Sequence, residues 1–203
     1  RGRMSIWRDP RTLLIGLLVL AAAFSEGSAN DWLALAMVDG HGFDNTAGAL
    51  IFGVFVTAMT VARLGGVFLL DRFGRVAVLR ASFLLAASGL VIIIFVPNPV
   101  TAIIGVVAWG LGSALGFPVG MSAAADDPKT AAARVSAVAT IGYFAFLVGP
   151  PVIGILGQQV GLLYALLTVL VLCALGSLVA GAARKPSVAS TAAATAAATR
   201  ASR

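Results

Sequence analysis

Glu26, Asp31 and Arg63 are ionisable residues set inside long apolar stretches. If those stretches cross a bilayer, each charge costs at least about 2.5 kcal/mol to insert, so each needs a partner, a wet cavity or a task. Glu26 lies in Ser25-Glu26-Gly27-Ser28-Ala29-Asn30-Asp31-Trp32, a small and polar run unsuited to lipid. Counted from Thr12 at about 1.5 Å per residue, Glu26 stands about 21 Å along its helix, near the midplane, with Asn30 one turn further on the same face. A carboxylate sheltered there is the chemistry that proton coupling needs. The structural reading is a protonated Glu26 that donates a hydrogen bond between helices. Asp31, about 7.5 Å further outward and turned roughly 140° from Glu26, suits a gate beside Trp32 or simple exposure to external water.

Arg63 stands about 12 Å along its helix from Asp71, close enough to snorkel toward water. It could also pair with a carboxylate of a missing half of the protein, or bind an anionic substrate. A direct bridge from Arg63 to Glu26 is not expected, because their depths differ by about 9 Å. Trp109, Tyr143, Phe144 and Phe146 supply ring faces for stacking on a substrate, or for packing. His41 is the sole histidine and falls in a turn, where solvation explains it.

The elements that hold these groups follow from composition. The 203 residues are 60% hydrophobic and 11% charged, with a mean hydropathy of +1.01, which excludes a soluble domain. A formal charge of +6 and a pI near 10.7 would suggest nucleic acid in a soluble chain, but the basic residues here lie between apolar runs and at the ends. No nucleic-acid partner is expected. Cys173 is alone in an apolar run, so neither a disulfide nor a thiol metal site is expected, and no cofactor motif is present. The chain opens Arg1-Gly2-Arg3 rather than with Met, as an internal fragment would.

Six runs are long enough to span hydrocarbon: Thr12–Val38, Thr46–Leu70, Val76–Val96, Val100–Ala124, Thr130–Gly157 and Gly161–Ala183. Residues 1–11 form a leading segment. Residues 184–203, rich in Ala, Ser and Thr without an apolar face, are expected to be a disordered tail. Apart from Arg63, every basic residue belongs to the two ends, the turn at Asp71 or the loop at Lys129. This asymmetry predicts both termini on the cytoplasmic side of the plasma membrane.

The turn Asp71-Arg72-Phe73-Gly74-Arg75 joins the second and third spans. Gly74 relaxes the backbone, Asp71 can cap or pair with a helix end, and Arg72, Arg75 and Arg80 hold the turn among headgroups. It resembles the loop signature of the major facilitator superfamily, with Val67 where that family usually has Gly and Val76 where a further basic residue is common. In the family this loop is implicated in the switch between inward-open and outward-open states.

The spans also differ in kind. The third and sixth are almost uniformly aliphatic and suit lipid-facing positions. The fourth carries Gly112, Gly116 and Gly120 at four-residue spacing, with a kink expected at Pro118. The fifth carries Gly149-Pro150-Pro151, expected to bend or break it. Unusual helices at positions one, two, four and five, with plain ones at three and six, predict an all-α membrane fold of two inverted triplets. That order, and a Gly-Pro-rich fifth span, resemble helices seven to twelve of the superfamily. The resemblance implies a missing N-terminal six-helix half, a small-molecule substrate, and protons or another ion as driving partner, all within a lipid bilayer.

The function expected is secondary active transport by alternating access, with proton-driven export of drug-like or metabolite compounds ahead of uptake of a sugar-like or organic solute. A membrane scaffold is the alternative from another class. An intramembrane protease would need a serine and a histidine at depth; Ser113 is available but His41 is in a turn. The transporter reading requires a wet crevice beside Glu26 and Asn30, between the first and fourth spans.

Overall fold

The structure, a computed structural model, describes residues 5–185. The expected disorder of the tail therefore lies almost wholly outside the described residues. The six spans are α1 (Pro10–His41), α2 (Asn45–Phe73), α3 (Arg75–Phe95), α4 (Pro99–Ala124), α5 (Ala131–Val160) and α6 (Leu162–Ala183). Local chemistry sets their ends. Asp9 accepts from the Thr12 N–H and Pro10 fills the first turn of α1, while Asp44 and Asn98 cap α2 and α4 in the same way. Three turns use glycine at positive φ: Gly42 after α1, Gly74 between α2 and α3, and Gly161 between α5 and α6.

Packing interleaves the two triplets. The most extensive contacts are α1 with α5 and α3 with α4; α1 also packs on α6, α2 on α4, and α3 on α6. Exchanging the first triplet for the second maps this set of neighbours onto itself, as an inverted repeat requires. Consecutive α2 and α3 touch little.

Small residues make these contacts possible. A Cβ on Gly105 of α4 would meet the Gly89 carbonyl of α3 at 2.7 Å, and one on Gly112 would meet the Ser82 carbonyl and the Ala86 nitrogen. At Gly116 the neighbour is Ala22 of α1, 2.7 Å away. The glycine series in α4 thus serves α3 and α1, as its spacing suggested.

Two expectations about helix shape change. α4 breaks at Ala114–Leu115, one turn before Pro118, into Pro99–Ser113 and Gly116–Ala124. The proline has no N–H to give the carbonyl of Ala114 four residues back, so the interruption falls there. α5, by contrast, runs unbroken through Pro150 and Pro151. Gly149 sits against the Phe24 ring, and the Pro150 carbonyl accepts the Trp32 indole N–H at 2.8 Å, so α1 supports the stretch that was expected to break.

α3 and α6 each bury one face and expose Leu84, Val91, Phe95, Val171 and Leu178 on the other. The more open helix is α2, where Leu64 is 81% exposed beside Val67 and Phe68. α5 likewise exposes Tyr143, Phe144 and Leu147.

Candidate functional site

The Arg63 guanidinium lies 3.2 and 3.3 Å from the two carboxylate oxygens of Glu26. This corrects the expectation that the two would not meet. Side chains lean toward the N-terminus of their own helix. α1 and α2 are consecutive spans running opposite ways, so Glu26 leans down and Arg63 leans up, and their lengths close an axial offset of about 9 Å. Arg63 therefore reaches away from the Arg-rich end rather than snorkelling toward it.

A second bond fixes the guanidinium. Its Nε donates to the Ala114 carbonyl at 3.1 Å, the acceptor that Pro118 leaves without a helical donor. The side chain of Arg63 is 43% exposed and that of Glu26 16%, so the pair borders open space. A cavity of about 590 Å³ begins at Arg63, runs between α2 and the second half of α4 along Gly66, Leu115 and Phe117, and ends at Ser122 and Arg75. The crevice is thus walled by α2 and α4 rather than by α1, and Glu26 is tied to it through Arg63. Asn30 and Asp31 are both exposed on α1.

Trp109 is not on this path. It is fully buried, edge-on to Phe55 at 5.3 Å, and its indole N–H donates to Ser25 at 2.8 Å. Ser25 also bonds Ser113 at 3.2 Å, so these polar groups of α1 and α4 satisfy one another inside the core. Substrate stacking by Trp109 is therefore corrected to packing. Tyr143 and Phe144 are exposed on α5, while Phe146 packs on Gly27 and tilts against Phe117. His41 is also corrected: it is the last residue of α1, and its Nε2 bonds the Ile93 carbonyl at 2.8 Å. That carbonyl lacks a helical donor because Pro97 stands four residues on.

At the Arg-rich end the turn residues divide. Arg75 bonds Asp126 at 2.7 Å and Ser122 at 2.9 Å. Arg11 holds the other oxygen of Asp126 at 2.8 Å and also donates to the carbonyls of Ala182 and Arg184. One carboxylate between α4 and α5 thereby joins the starts of α1 and α3 and the end of α6. Arg134 pairs with Asp9 at 3.1 Å across the same surface. Partial burial acts to raise the Asp9 pKa, but hydrogen bonds from Thr12 and the charge of Arg134 outweigh it and hold the carboxyl below its ordinary value. Asp127 is likewise lowered, by the Thr130 hydroxyl and the Lys129 N–H. Asp71, expected to cap or pair, forms no ion pair among the described residues, and Arg72 lies over the neighbouring Phe73 ring at 5.6 Å. Sequence reasoning missed Asp126 as a hub; its signal was the acid pair Asp126-Asp127 at the end of the bundle where the basic residues gather.

The comparisons with known proteins agree with this architecture. The Major Facilitator Superfamily profile matches residues 8–202. The chain is 32% identical over 158 residues to an uncharacterized MFS-type transporter of Yersinia pestis, covering 77% of this chain and 41% of that protein. It is 34% identical over 167 residues to an uncharacterized transporter of Sinorhizobium fredii, covering 77% and 44%. Membrane protein MosC of Rhizobium meliloti matches at 30% over 164 residues, covering 80% and 40%. The fold also matches the crystal structure of the Escherichia coli fucose:proton symporter, with a TM-score of 0.80 at 16% identity over 91% of this chain and 46% of that one. The chain thus spans less than half the length of these relatives. A six-span bundle of interleaved triplets, with this profile match along nearly its whole length, belongs to the major facilitator superfamily of transporters.

Proposed function

We propose that this chain is the C-terminal half of a secondary active transporter that moves a small solute by alternating access, with its Arg-rich end in the cytoplasm and its exposed α2 and α5 faces toward the other half. The observation that carries the reading is the Glu26–Arg63 pair standing at the inner end of a cavity between α2 and α4. A carboxylate and a guanidinium at membrane depth hold each other while both remain charged. When Glu26 takes a proton that attraction ends, and the guanidinium, still tied through Nε to Ala114, can receive an anionic group of the solute. The Glu26 carboxylate and an anionic solute group thus alternate on Arg63, so that proton and solute are carried together. Gly66, Leu115, Phe117 and Pro118 make the remaining wall apolar, which suits an amphiphilic metabolite or drug-like compound. Down an inward proton gradient that coupling drives uptake, which we place ahead of the export expected from the sequence. The clamp at Asp126 lies where the half would have to loosen or tighten as it rocks.

The test is proton flux in vesicles reconstituted with the full-length protein, read by a pH-sensitive dye as a panel of amphiphilic organic anions and sugars is added. The expected result is solute-dependent flux that Glu26→Gln abolishes while solute counterflow persists. Coupled flux unchanged in Glu26→Gln would remove Glu26 from the mechanism.

A further inference from the structure

The turn between α2 and α3 borders a second cavity, which adjoins the one beside Arg63 at Arg75 and Ser122 and opens away from it toward α3 and the end of α6. It measures about 690 Å³ at the Arg-rich end, walled by Asp71, Gly74, Arg75, Arg80, Arg184 and Lys185. Arg75 is paired with Asp126, a carboxylate it shares with Arg11. Arg80 donates its Nε to the Ser177 carbonyl at 3.2 Å, and neither it nor Arg184 nor Lys185 has a carboxylate partner among the described residues. Three uncompensated cations therefore face the single carboxylate of Asp71, and the balance favours an anion.

An apolar cavity of about 600 Å³ continues from it, sharing Phe73 and Ala77. This groove exists because α2 leans on α4 and touches α3 little. Leu111 and Leu115 of α4 form part of its wall, with Gly65 and Leu69 on one flank and Leu85 on the other. Each cavity is within the range of about 300–1,000 Å³ that small-molecule sites occupy. A soluble anion would fill only the basic end, and an apolar helix would leave the three cations unanswered. A molecule with a negative head and a hydrocarbon tail, aligned with the helices, fits both.

We propose that the paired cavities bind one anionic glycerophospholipid, its phosphate against Arg80 and Lys185 and one acyl chain between α2 and α3. Phosphatidylcholine would present its quaternary ammonium to the same cations. Phosphatidylethanolamine could set its amine against Asp71, but it neutralises none of the excess positive charge. The bound lipid would fill the gap that the Gly74 turn leaves between two helices and tie the end of α6 to them.

The experiment is native mass spectrometry of the full-length protein released from nanodiscs holding equal parts of phosphatidylglycerol, phosphatidylethanolamine and phosphatidylcholine. One phosphatidylglycerol should be retained in preference. Combining Arg80→Gln with Lys185→Gln should reduce that retention on the order of tenfold, since each cation near an anionic surface contributes measurably to its attraction. Gly65→Leu should reduce it as well with every charge left in place, because a Cβ at Gly65 meets nothing within 4 Å and the new side chain would occupy the groove. The second variant keeps the proposal falsifiable should the first not fold. Equal retention of the three lipids, preference for phosphatidylethanolamine, or undiminished retention in Gly65→Leu would overturn it. So would inorganic phosphate raising the melting temperature as far as phosphatidylglycerol does, which would assign the basic end to a soluble anion.

Discussion

Of the three arginine–carboxylate sites among the described residues, those centred on Asp126 and on Glu26 stand in opposite settings. At the Arg-rich end Asp126 is held by Arg75 at 2.7 Å and Arg11 at 2.8 Å, with its own side chain only 10% exposed. At membrane depth Glu26 has one ionic partner among the described residues, Arg63 at 3.2 Å, and that partner is 43% exposed. The first carboxylate ties together segments far apart in sequence and has little room to change partners. The second borders a cavity and shares its arginine with a backbone carbonyl. The same chemical pair is thus doubled and sheltered at Asp126, and single and open to a cavity at Glu26.

The comparison can be broken first at the clamp. Asp126→Ala leaves Arg11 and Arg75 facing each other without an anion, and should cost about 2 kcal/mol or more, read as a lower melting temperature in detergent. A variant as stable as the parent would make Asp126 a surface charge like any other. The exchangeable site should respond in activity before stability. Arg63→Lys keeps a charge for Glu26 but offers no planar fork to reach Ala114 as well, so transport should fall by roughly fivefold or more with stability changed by under about 1 kcal/mol. Equal loss in both readouts would make the pair structural.

Pro118→Ala gives a finer test. It restores an N–H to the Ala114 carbonyl, relieves Arg63 of that bond, and should close the break in α4, stabilising the helix by about 1 kcal/mol while slowing transport. Thermal unfolding and uptake rates should then move in opposite directions. The smallest effect belongs to Asp9, whose folded pKa is lowered. Its contribution to stability is present above the unfolded value, about 3.9, and is lost as pH falls through the folded one. The melting-temperature difference between the parent and Asp9→Asn should therefore be largest near neutral pH and shrink below about pH 4.

Hydropathy and turn residues made the six spans legible, because bilayer thickness sets a length that few soluble helices match. The expected Thr12–Val38 became Pro10–His41, an error at the ends where Asp9, Pro10 and Gly42 mark the true caps. The glycine series in α4 was legible too, since close backbone approach has few other causes. The Glu26–Arg63 pair was not: counting residues along each axis ignores the direction in which a side chain leaves its helix. Trp109 stayed open between stacking and packing because an aromatic ring reads alike whether it lines a cavity or fills a core, and only Ser25 and Phe55 beside it decide. The unbroken α5 shows the limit from the other side, since Trp32 and Phe24 supply support that no local rule contains.

The Ala114 carbonyl receives its hydrogen bond from another helix, through an arginine whose hold depends on a third. A side-chain pair on α1 and α2 thereby reaches the main chain of α4 at the point where that helix is broken.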